Sequence, residues 1–301
     1  MQPGVLTVRA FAKINLSLEV LNKRPDGFHN LRTIFQTISL HDVIGIAVSP
    51  GEQAVTLESD LEIPGENLIV RAARAVLAET GVSASVHFRL EKRIPMGGGL
   101  GGGSTDAAAV LLALPGLLGC AIPLPRLMEI GTALGSDIPF FLVGGTAAGL
   151  GRGTELYPMP DAAGGFGLLV LPDVHVSTPD AFRSLNRGEA PPPGPQVSLT
   201  EQAGLALAAG DPSWVGTCVN DFESAVFARH PLLADLRSQL ESAGASPARM
   251  TGSGAALFGL FPAEAQRDHA AARITAARPV PFELLTRQEY RQRRFASPTG
   301  Q

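Results

Sequence analysis

A glycine-rich segment at residues 95–106 constrains this chain more than any other feature. It reads Pro-Met-Gly-Gly-Gly-Leu-Gly-Gly-Gly-Ser-Thr-Asp, and an apolar, helix-forming stretch, residues 107–114, follows at once. Glycine lacks a Cβ, so such a loop can adopt positive φ angles and turn several backbone N–H groups inward. The next helix adds the positive end of its dipole. The pattern therefore predicts a phosphate-binding loop, with Ser104, Thr105 and Asp106 as helix-capping residues.

Three alternatives explain these glycines less well. A flexible Gly/Ser linker rarely runs directly into an apolar helix. A P-loop would close with Gly-Lys-Ser or Gly-Lys-Thr, which this segment lacks. The segment also fits the dinucleotide-binding pattern G-x-G-x-x-G, but a run with so many glycines matches that pattern by chance. A Rossmann domain usually begins with this unit, whereas here the unit starts near residue 97. A Rossmann-type oxidoreductase thus stands as a weaker competing class.

Length, charge and cysteine content narrow the class of protein. A chain of 301 residues can hold two domains, and its net charge of −4 argues against a nucleic-acid partner. Gly and Pro interrupt each long apolar stretch, and the first ten residues lack a targeting signal. Cys120 and Cys218 lie far apart, without metal-ligand spacing. We expect a cytoplasmic monomer or homodimer that binds a small molecule, with neither nucleic acid nor membrane as a partner.

Residue patterning predicts a strand-rich first half and a second domain. Alternating and β-branched residues predict strands, and apolar residues near a 3.6 spacing predict helices. The predicted strands are residues 5–12, 14–20, 33–40, 42–48 and 85–90, with a hairpin over 146–158, and the predicted helices are residues 68–80, 105–114 and 124–134. A Pro- and Gly-rich break near residue 160 separates domains 1–160 and 161–301. The arginine-rich end of the chain, from Arg287 onward, is expected to be a solvated tail.

A lysine and an aspartate suggest phosphoryl-transfer chemistry. Lys13 lies between apolar residues of a predicted strand, where a buried ammonium needs a partner, although a snorkelling edge lysine is the alternative. Asp137 opens an apolar run and is either a helix cap or a base. The two residues fit phosphoryl transfer as a pair. Asp137 would accept the proton of an attacking hydroxyl group, and Lys13 would stabilise the negative charge on the phosphoryl group. A second glycine-rich turn, residues 251–254, has more small residues than a tight turn needs, which favours a close approach to a ligand or to the first glycine loop.

These pieces, in this order, resemble the GHMP kinase superfamily over nearly the whole chain. Within it, the chain resembles the family that phosphorylates 4-diphosphocytidyl-2-C-methyl-D-erythritol in the non-mevalonate isoprenoid pathway; the segments that carry this resemblance are residues 12–16, 24–31, 35–36, 95–106, 135–141, 220–223 and 251–254. The resemblance implies an α+β, two-lobed GHMP kinase fold, with an N-terminal lobe like ribosomal protein S5 domain 2 and a ferredoxin-like C-terminal lobe. It also implies transfer of the γ-phosphoryl group of ATP to the 2-hydroxyl of that substrate, with Mg²⁺.

The resemblance also implies roles for individual residues. Lys13 and Asp137 match the catalytic pair. The ATP phosphate loop would comprise Pro95, Met96, Gly97, Gly98, Gly99, Leu100, Gly101, Gly102, Gly103, Ser104 and Thr105. Ser104 is the candidate metal ligand, although the choice between the Ser104 and Thr105 hydroxyls stays open. The substrate-binding candidates are Asn15, Phe28, His29, Thr178 and Phe182.

Phe28 stands where a tyrosine is often found in this family. A phenylalanine can still stack its ring face on cytosine, but it cannot make a phenol hydrogen bond. Two further readings compete with a kinase of this substrate: a kinase of the same fold acting on mevalonate, homoserine or a sugar, and a sensor without catalysis. The loop at residues 26–29 argues against the first, and the presence of both Lys13 and Asp137 argues against the second.

Overall fold

The alternating residues near the start of the chain form two long antiparallel strands rather than four short ones. The computed structural model describes residues 5–61, 65–162, 165–190 and 197–295. Strand β1 spans Leu6–Lys23 and β2 spans His29–Pro50. The expected breaks are absent because β-bulges, between Phe11 and Lys13 and between Asn15 and Ser17, absorb the irregular positions without ending β1.

These strands belong to a six-stranded mixed sheet in the first half of the chain. The other four strands are β3 (Ala54–Ser59), β4 (Ala84–Glu91), β5 (Thr146–Gly151) and β6 (Glu155–Pro158). The order is β3-β4-β2-β5-β6, with β1 paired to β2, and the β3–β4 pair is parallel. Strands β5 and β6 form the hairpin expected over residues 146–158.

Four helices pack with this sheet around the first hydrophobic core. They are α1 (Leu68–Thr80), α2 (Gly102–Leu117), α3 (Leu124–Leu134) and α4 (Ile138–Val143). The bounds of α1 and α3 confirm the prediction from apolar spacing. Helix α2 is hydrophobic on nearly all sides because it lies between the sheet and the neighbouring helices. The core is made of side chains such as Phe88, Leu111 and Phe140, each fully buried.

The second half of the chain forms a four-stranded antiparallel sheet. Its strands are β7 (Phe166–Leu171), β8 (Ala248–Met250), β9 (Leu257–Phe261) and β10 (Arg278–Glu283), in the order β10-β7-β9-β8. The accompanying helices are α5 (Thr178–Ser184), α6 (Leu199–Ala208), α7 (Trp214–Thr217), α8 (Phe222–Arg229), α9 (Pro231–Ser242) and α10 (Glu264–Arg273). Counted along the chain, the fourth, first, third and second strands lie side by side, which is the ferredoxin-like order.

The expectation of a solvated C-terminal tail is wrong for residues 287–295. Helix α11 (Arg287–Arg293) returns to the first sheet, and Tyr290, 2% exposed, donates its hydroxyl hydrogen to the carbonyl oxygen of Phe141. Arg294 is also buried, and its carbonyl oxygen accepts the backbone N–H of Arg9 at 2.7 Å. One buried aromatic ring fixes an otherwise polar helix, because its burial and hydrogen bond offset the cost of ordering that segment.

The proposed boundary at residue 160 falls between β6 and β7, that is, between the two sheets. The division into domains 1–160 and 161–301 stays a prediction, since α11 packs against the first sheet. Neither cysteine forms a disulfide within the described residues, and Cys218 is buried. Over those same ranges, none of the helices combines the length and the apolar character needed to cross a membrane.

Candidate active site

The glycine loop joins β4 to α2 in a backbone conformation that requires glycine. Gly97, Gly99 and Gly101 have φ angles of 74°, 75° and 72°, which side-chain-bearing residues rarely adopt. Helix α2 begins at Gly102, and Gly101 is its N-cap residue without a side-chain hydrogen bond. The N–H groups of the first turn are therefore left for a ligand, as a phosphate site needs.

The expected capping role of Ser104, Thr105 and Asp106 is wrong. All three lie inside α2, since the helix starts two residues before Ser104. The tight packing around Gly101 explains the earlier start: a Cβ built there would lie 2.7 Å from Cζ of Phe141. Tertiary contacts therefore fix the cap at the glycine, and local side-chain preference does not decide it.

The second glycine turn, residues 251–254, packs directly against the glycine loop. A Cβ on Gly99 would overlap the carbonyl oxygen of Thr251, and one on Gly252 would lie 3.1 Å from Cα of Gly99. The side chain of Asn220 holds this turn by donating to the carbonyl oxygen of Gly252 at 2.9 Å. The close approach of the two glycine segments is confirmed, and it explains why both are built from small residues.

Lys13 is buried beside the glycine loop. Its exposure is 3%, and its backbone N–H donates to the carbonyl oxygen of Leu100 at 3.1 Å. Its Nζ lies 3.6 Å from Oδ2 of Asp137. Burial lowers the pKa of Lys13, and the negative charge of Asp137 opposes that shift. A snorkelling lysine is thus the wrong interpretation, because the ammonium points into the protein towards a carboxylate.

Asp137 precedes α4 without capping it. Although it occupies the N-cap position, its side chain makes no capping hydrogen bond. The carboxylate is 35% exposed, so it faces both Lys13 and the space outside. This leaves an oxygen that can reach a hydroxyl group of a bound substrate.

Asn15 orients the lysine. Its Oδ1 accepts a hydrogen bond from Nζ of Lys13 at 2.7 Å, and its Nδ2 donates to Oγ1 of Thr33 at 2.8 Å. Its backbone N–H donates to Oγ1 of Thr251 at 3.0 Å, which links β1 to the second glycine turn. The side chain is 4% exposed, and both ends of its amide have protein partners. Its expected contact with substrate stays a prediction.

The other four substrate-binding candidates line one cleft between the two halves of the chain. Phe28, His29, Thr178 and Phe182 surround a cavity of about 530 Å³. Phe28 is 48% exposed, and the rings of His29 and Phe182 stack with centroids 4.9 Å apart. The hydroxyls of Thr178 and Ser253 lie 2.8 Å apart, so the cleft is tied to the second glycine turn. The structure brings these four side chains together and places Asn15 apart from them, beside Lys13.

A buried ionic cluster behind the glycine loop was missed in the sequence. Nζ of Lys92 donates to Oδ2 of Asp42 and to Oδ2 of Asp106, the latter at 2.9 Å. Oδ1 of Asp42 accepts the backbone N–H groups of Arg93 and Ile94 at 2.6 and 2.7 Å. The cluster fixes the chain as it enters the glycine loop and ties it to the first turns of α2. The rarity of lysine singles out Lys92, but the pattern gives no clue to its partners.

Asp106 is the carboxyl group in this cluster whose pKa is raised. Burial raises the pKa of Asp106 to about 8; the charge of Lys92 opposes the rise, and that of Asp42 adds to it. Asp42 has two backbone donors, whereas Oδ1 of Asp106 has no hydrogen-bond partner. We therefore expect Asp106 to bind a proton at higher pH in the folded protein than in the unfolded chain.

Stability should accordingly fall as pH rises, and Asp106→Asn should remove that dependence. The folded pKa exceeds the unfolded value of about 4, so this contribution is complete below pH 4 and is lost as pH approaches 8. The slope is at most about 1.4 kcal/mol per pH unit. Urea unfolding of both proteins at pH 5.5, 7 and 8 measures it. Parallel curves for the two proteins would contradict protonation of Asp106, since all other titrating groups are shared.

The first turns of α2 offer oxygen ligands that suit Mg²⁺. Among the residues that the structure describes, no three His, Cys, Asp or Glu side chains form a metal cluster. Mg²⁺ does not need one, because it usually takes one or two protein oxygens together with waters and substrate phosphates. Ser104 is partly buried there, and Oγ1 of Thr105 is buried without a protein partner. This set of donors fits a magnesium ion shared with bound phosphates.

Two family models match the chain. The model described as "GHMP kinases N terminal domain" matches residues 67–145, and the one described as "GHMP kinases C terminal" matches residues 205–279. Curated relatives named 4-diphosphocytidyl-2-C-methyl-D-erythritol kinase include proteins from Solibacter usitatus and Pelotomaculum thermopropionicum, which are 50% and 40% identical to this chain. The first match covers 84% of this chain and 80% of the relative, and the second covers 85% and 89%.

Solved structures resemble the chain over both lobes. A crystal structure of 4-(cytidine 5'-diphospho)-2C-methyl-D-erythritol kinase aligns with a TM-score of 0.76 at 35% identity, covering 92% of this chain and 98% of that one. A homoserine kinase from Cytophaga hutchinsonii aligns with a TM-score of 0.70 at 19% identity, covering 93% and 95%. The second likeness is one of fold alone. The similarity in sequence and the similarity in fold thus extend over most of the chain.

Proposed function

Because this chain belongs to the GHMP kinase superfamily, and within it to the 4-diphosphocytidyl-2-C-methyl-D-erythritol kinase family, we propose that it phosphorylates the 2-hydroxyl of that compound with ATP. Membership confirms the two-lobed α+β fold and excludes a Rossmann-type oxidoreductase. The products would be ADP and the 2-phosphate of the substrate.

One observation supports the proposal: a carboxylate, an ammonium and the glycine loop lie side by side. The buried ammonium of Lys13 faces the carboxylate of Asp137 at 3.6 Å, and the backbone of Lys13 is bonded to the glycine loop at Leu100. Phosphoryl transfer depends mainly on positioning and on stabilising charge. The glycine loop would hold the phosphates of ATP through its backbone N–H groups, with the γ-phosphorus directed towards Asp137.

Each bond change can then be assigned to a residue. Asp137 would accept the proton of the substrate hydroxyl as its oxygen forms a bond to the γ-phosphorus. The bond between that phosphorus and the oxygen bridging to the β-phosphate breaks, and ADP leaves with the electron pair. Lys13 would stabilise the negative charge on the transferred group, while Asn15 keeps its ammonium in place.

We propose Ser104 as a metal ligand, with the hydroxyl of Thr105 as the neighbouring oxygen donor. Bound Mg²⁺ would neutralise charge on the phosphates of ATP. The protein part of this arrangement is the start of α2, where the N–H groups of the first turn have no partner within the helix.

The cleft of Phe28 and His29 has the chemistry that a cytosine ring requires. The exposed ring of Phe28 offers a stacking face. Burial, and then the positive charges of Lys23 and Arg187, lower the pKa of His29, which keeps its imidazole neutral. A neutral imidazole presents one donor and one acceptor, so it can distinguish cytosine from uracil by hydrogen bonding.

An assay of ADP release tests this proposal. We expect turnover with Mg-ATP and 4-diphosphocytidyl-2-C-methyl-D-erythritol, and none with mevalonate, homoserine or methylerythritol phosphate. The uridine analogue should be at least about 100-fold poorer in kcat/KM, because it would leave polar groups unpaired in the cleft. Turnover of methylerythritol phosphate at a comparable rate would exclude the cytidine site. If only another alcohol were phosphorylated, the proposed mechanism would stand and the proposed substrate would be wrong.

A further inference from the structure

An arginine in the β5–β6 turn connects the two parts of the site. The carbon of the Arg152 guanidinium lies 3.5 Å from the centroid of the Phe28 ring. Its Nη2 donates to Oγ of Ser136 at 3.2 Å, and Ser136 immediately precedes Asp137. The guanidinium of Arg152 therefore contacts the cleft proposed for cytidine and also the residue that precedes the proposed base.

The turn that presents Arg152 is fixed by its flanking glycines. Gly151 and Gly153 have φ angles of 62° and 85°, and the N–H of Gly153 donates to the carbonyl oxygen of Leu150 at 2.9 Å. A larger residue at Gly151 would be strained by this positive φ, whatever the space around it. The hairpin thus holds the arginine in a defined position at the edge of the cleft.

Arg152 makes no direct ion pair in the part of the chain that the structure describes. No carboxylate lies within 4.0 Å of its guanidinium over those residues, and its Nε is buried without a hydrogen-bond partner. Asp26, in the loop that carries Phe28, makes its ion pair with Nε of Arg24 at 3.1 Å, and the charge of Arg152 acts on it only from beyond 4.0 Å. Arginine stays charged at any physiological pH, and a partly buried guanidinium without an anion is costly. Such a group is suited to binding an anionic ligand.

We propose that Arg152 binds the diphosphate that links cytidine to methylerythritol and so selects a diphosphate-linked substrate. This inference rests on the proposed function. With cytosine against the ring of Phe28 and the hydroxyl at Asp137, the diphosphate would lie in the interval that Arg152 spans. A guanidinium can donate two parallel hydrogen bonds to a phosphate group, while its face stays on the Phe28 ring. The arginine would then position the hydroxyl for transfer by fixing the middle of the substrate.

Arg152→Met tests the inference, with Arg126→Met as the matched control. Arg126 lies on α3, exposed and paired with Glu79 and Glu129. We expect Arg152→Met to raise KM for the cytidylyl substrate by about 10- to 100-fold, the usual effect of losing a charge-assisted contact. KM for ATP should stay within about twofold, and the control should change neither constant. Arg152→Lys should recover part of the loss, since it restores the charge without the two parallel donors.

Direct binding separates this role from a merely structural one. Calorimetry would compare cytidine with CDP in the wild type and in Arg152→Met. The wild type should bind CDP more tightly, and the variant should lose that preference while its affinity for cytidine is kept. An equal loss of affinity for cytidine and for CDP would show that Arg152 only supports Phe28. That result would overturn the inference about Arg152 and leave the proposed function standing. Binding of neither ligand by the wild type would overturn the proposed function together with it.

Discussion

Asp137→Asn should lower kcat by a factor on the order of 100 or more while ATP binding is largely kept. An asparagine amide cannot take the proton of the attacking hydroxyl, although it fills nearly the same volume. The proposed phosphate contacts come from the glycine loop and from α2, which the substitution does not touch. ADP release under saturating substrates measures kcat, and calorimetry measures the dissociation constant for ATP.

The buried lysine complicates this variant in a predictable way. Asp137→Asn leaves the ammonium of Lys13 without its carboxylate, at a cost to stability of about 1–2 kcal/mol; the cost is moderate because Asp137 is 35% exposed. Lys13→Met is the companion variant, since it removes the buried charge and keeps the length of the side chain. If the two residues act as a unit, the double variant should be about as slow as the slower single one. A kcat for Asp137→Asn within threefold of the wild type would assign the base elsewhere.

Gly101→Val should weaken ATP binding by about 100-fold or more. Gly101 has a φ of 72°, and a Cβ there would lie 2.7 Å from Cζ of Phe141 and 3.3 Å from Cγ of Lys13. A branched side chain adds strain in the left-handed region and pushes the loop away from the phosphate position. Titration of each variant with ATP, followed by calorimetry, measures the loss.

Alanine variants separate this loss from simple backbone strain. Gly101→Ala and Gly119→Ala carry the same conformational cost, since Gly119 has a φ of 70°, but a Cβ on Gly119 would meet nothing within 4 Å. We expect Gly119→Ala to lose about 1 kcal/mol of stability and to bind ATP normally. Gly101→Ala should also lose ATP affinity. Normal affinity in that variant would mean that this loop does not hold the phosphates.

The glycine loop and Lys13 could be predicted from the sequence because the residues immediately around each of them already indicate a function. A run of glycines has few uses beside an apolar helix, and a lysine among apolar strand residues has to be paired. The partner, Asp137, could be named as a candidate because it stands alone at the start of an apolar run. Its distance from Lys13 could not be known until the fold brought α4 beside β1.

Other features depended on contacts that no local pattern contains. Lys92 meets partners 50 and 14 residues away, so the cluster behind the loop exists only once β2, β4 and α2 are assembled. The start of α2 was misplaced because Phe141 and Lys13, both distant in sequence, favour glycine at the cap. The C-terminal helix was missed because one buried residue, Tyr290, stands among arginines and glutamines.

That C-terminal helix has a consequence for how the catalytic lobe is completed during synthesis. Phe141, whose carbonyl oxygen receives the hydroxyl of Tyr290, belongs to the short helix that follows Asp137. The ribosome makes the two residues 149 positions apart. The first sheet and its helices can therefore assemble early, but Tyr290, which supports the helix after the proposed base, is made only after the strands of the second sheet. A growing chain should thus become competent for phosphoryl transfer only after all four strands of the second sheet have been synthesised.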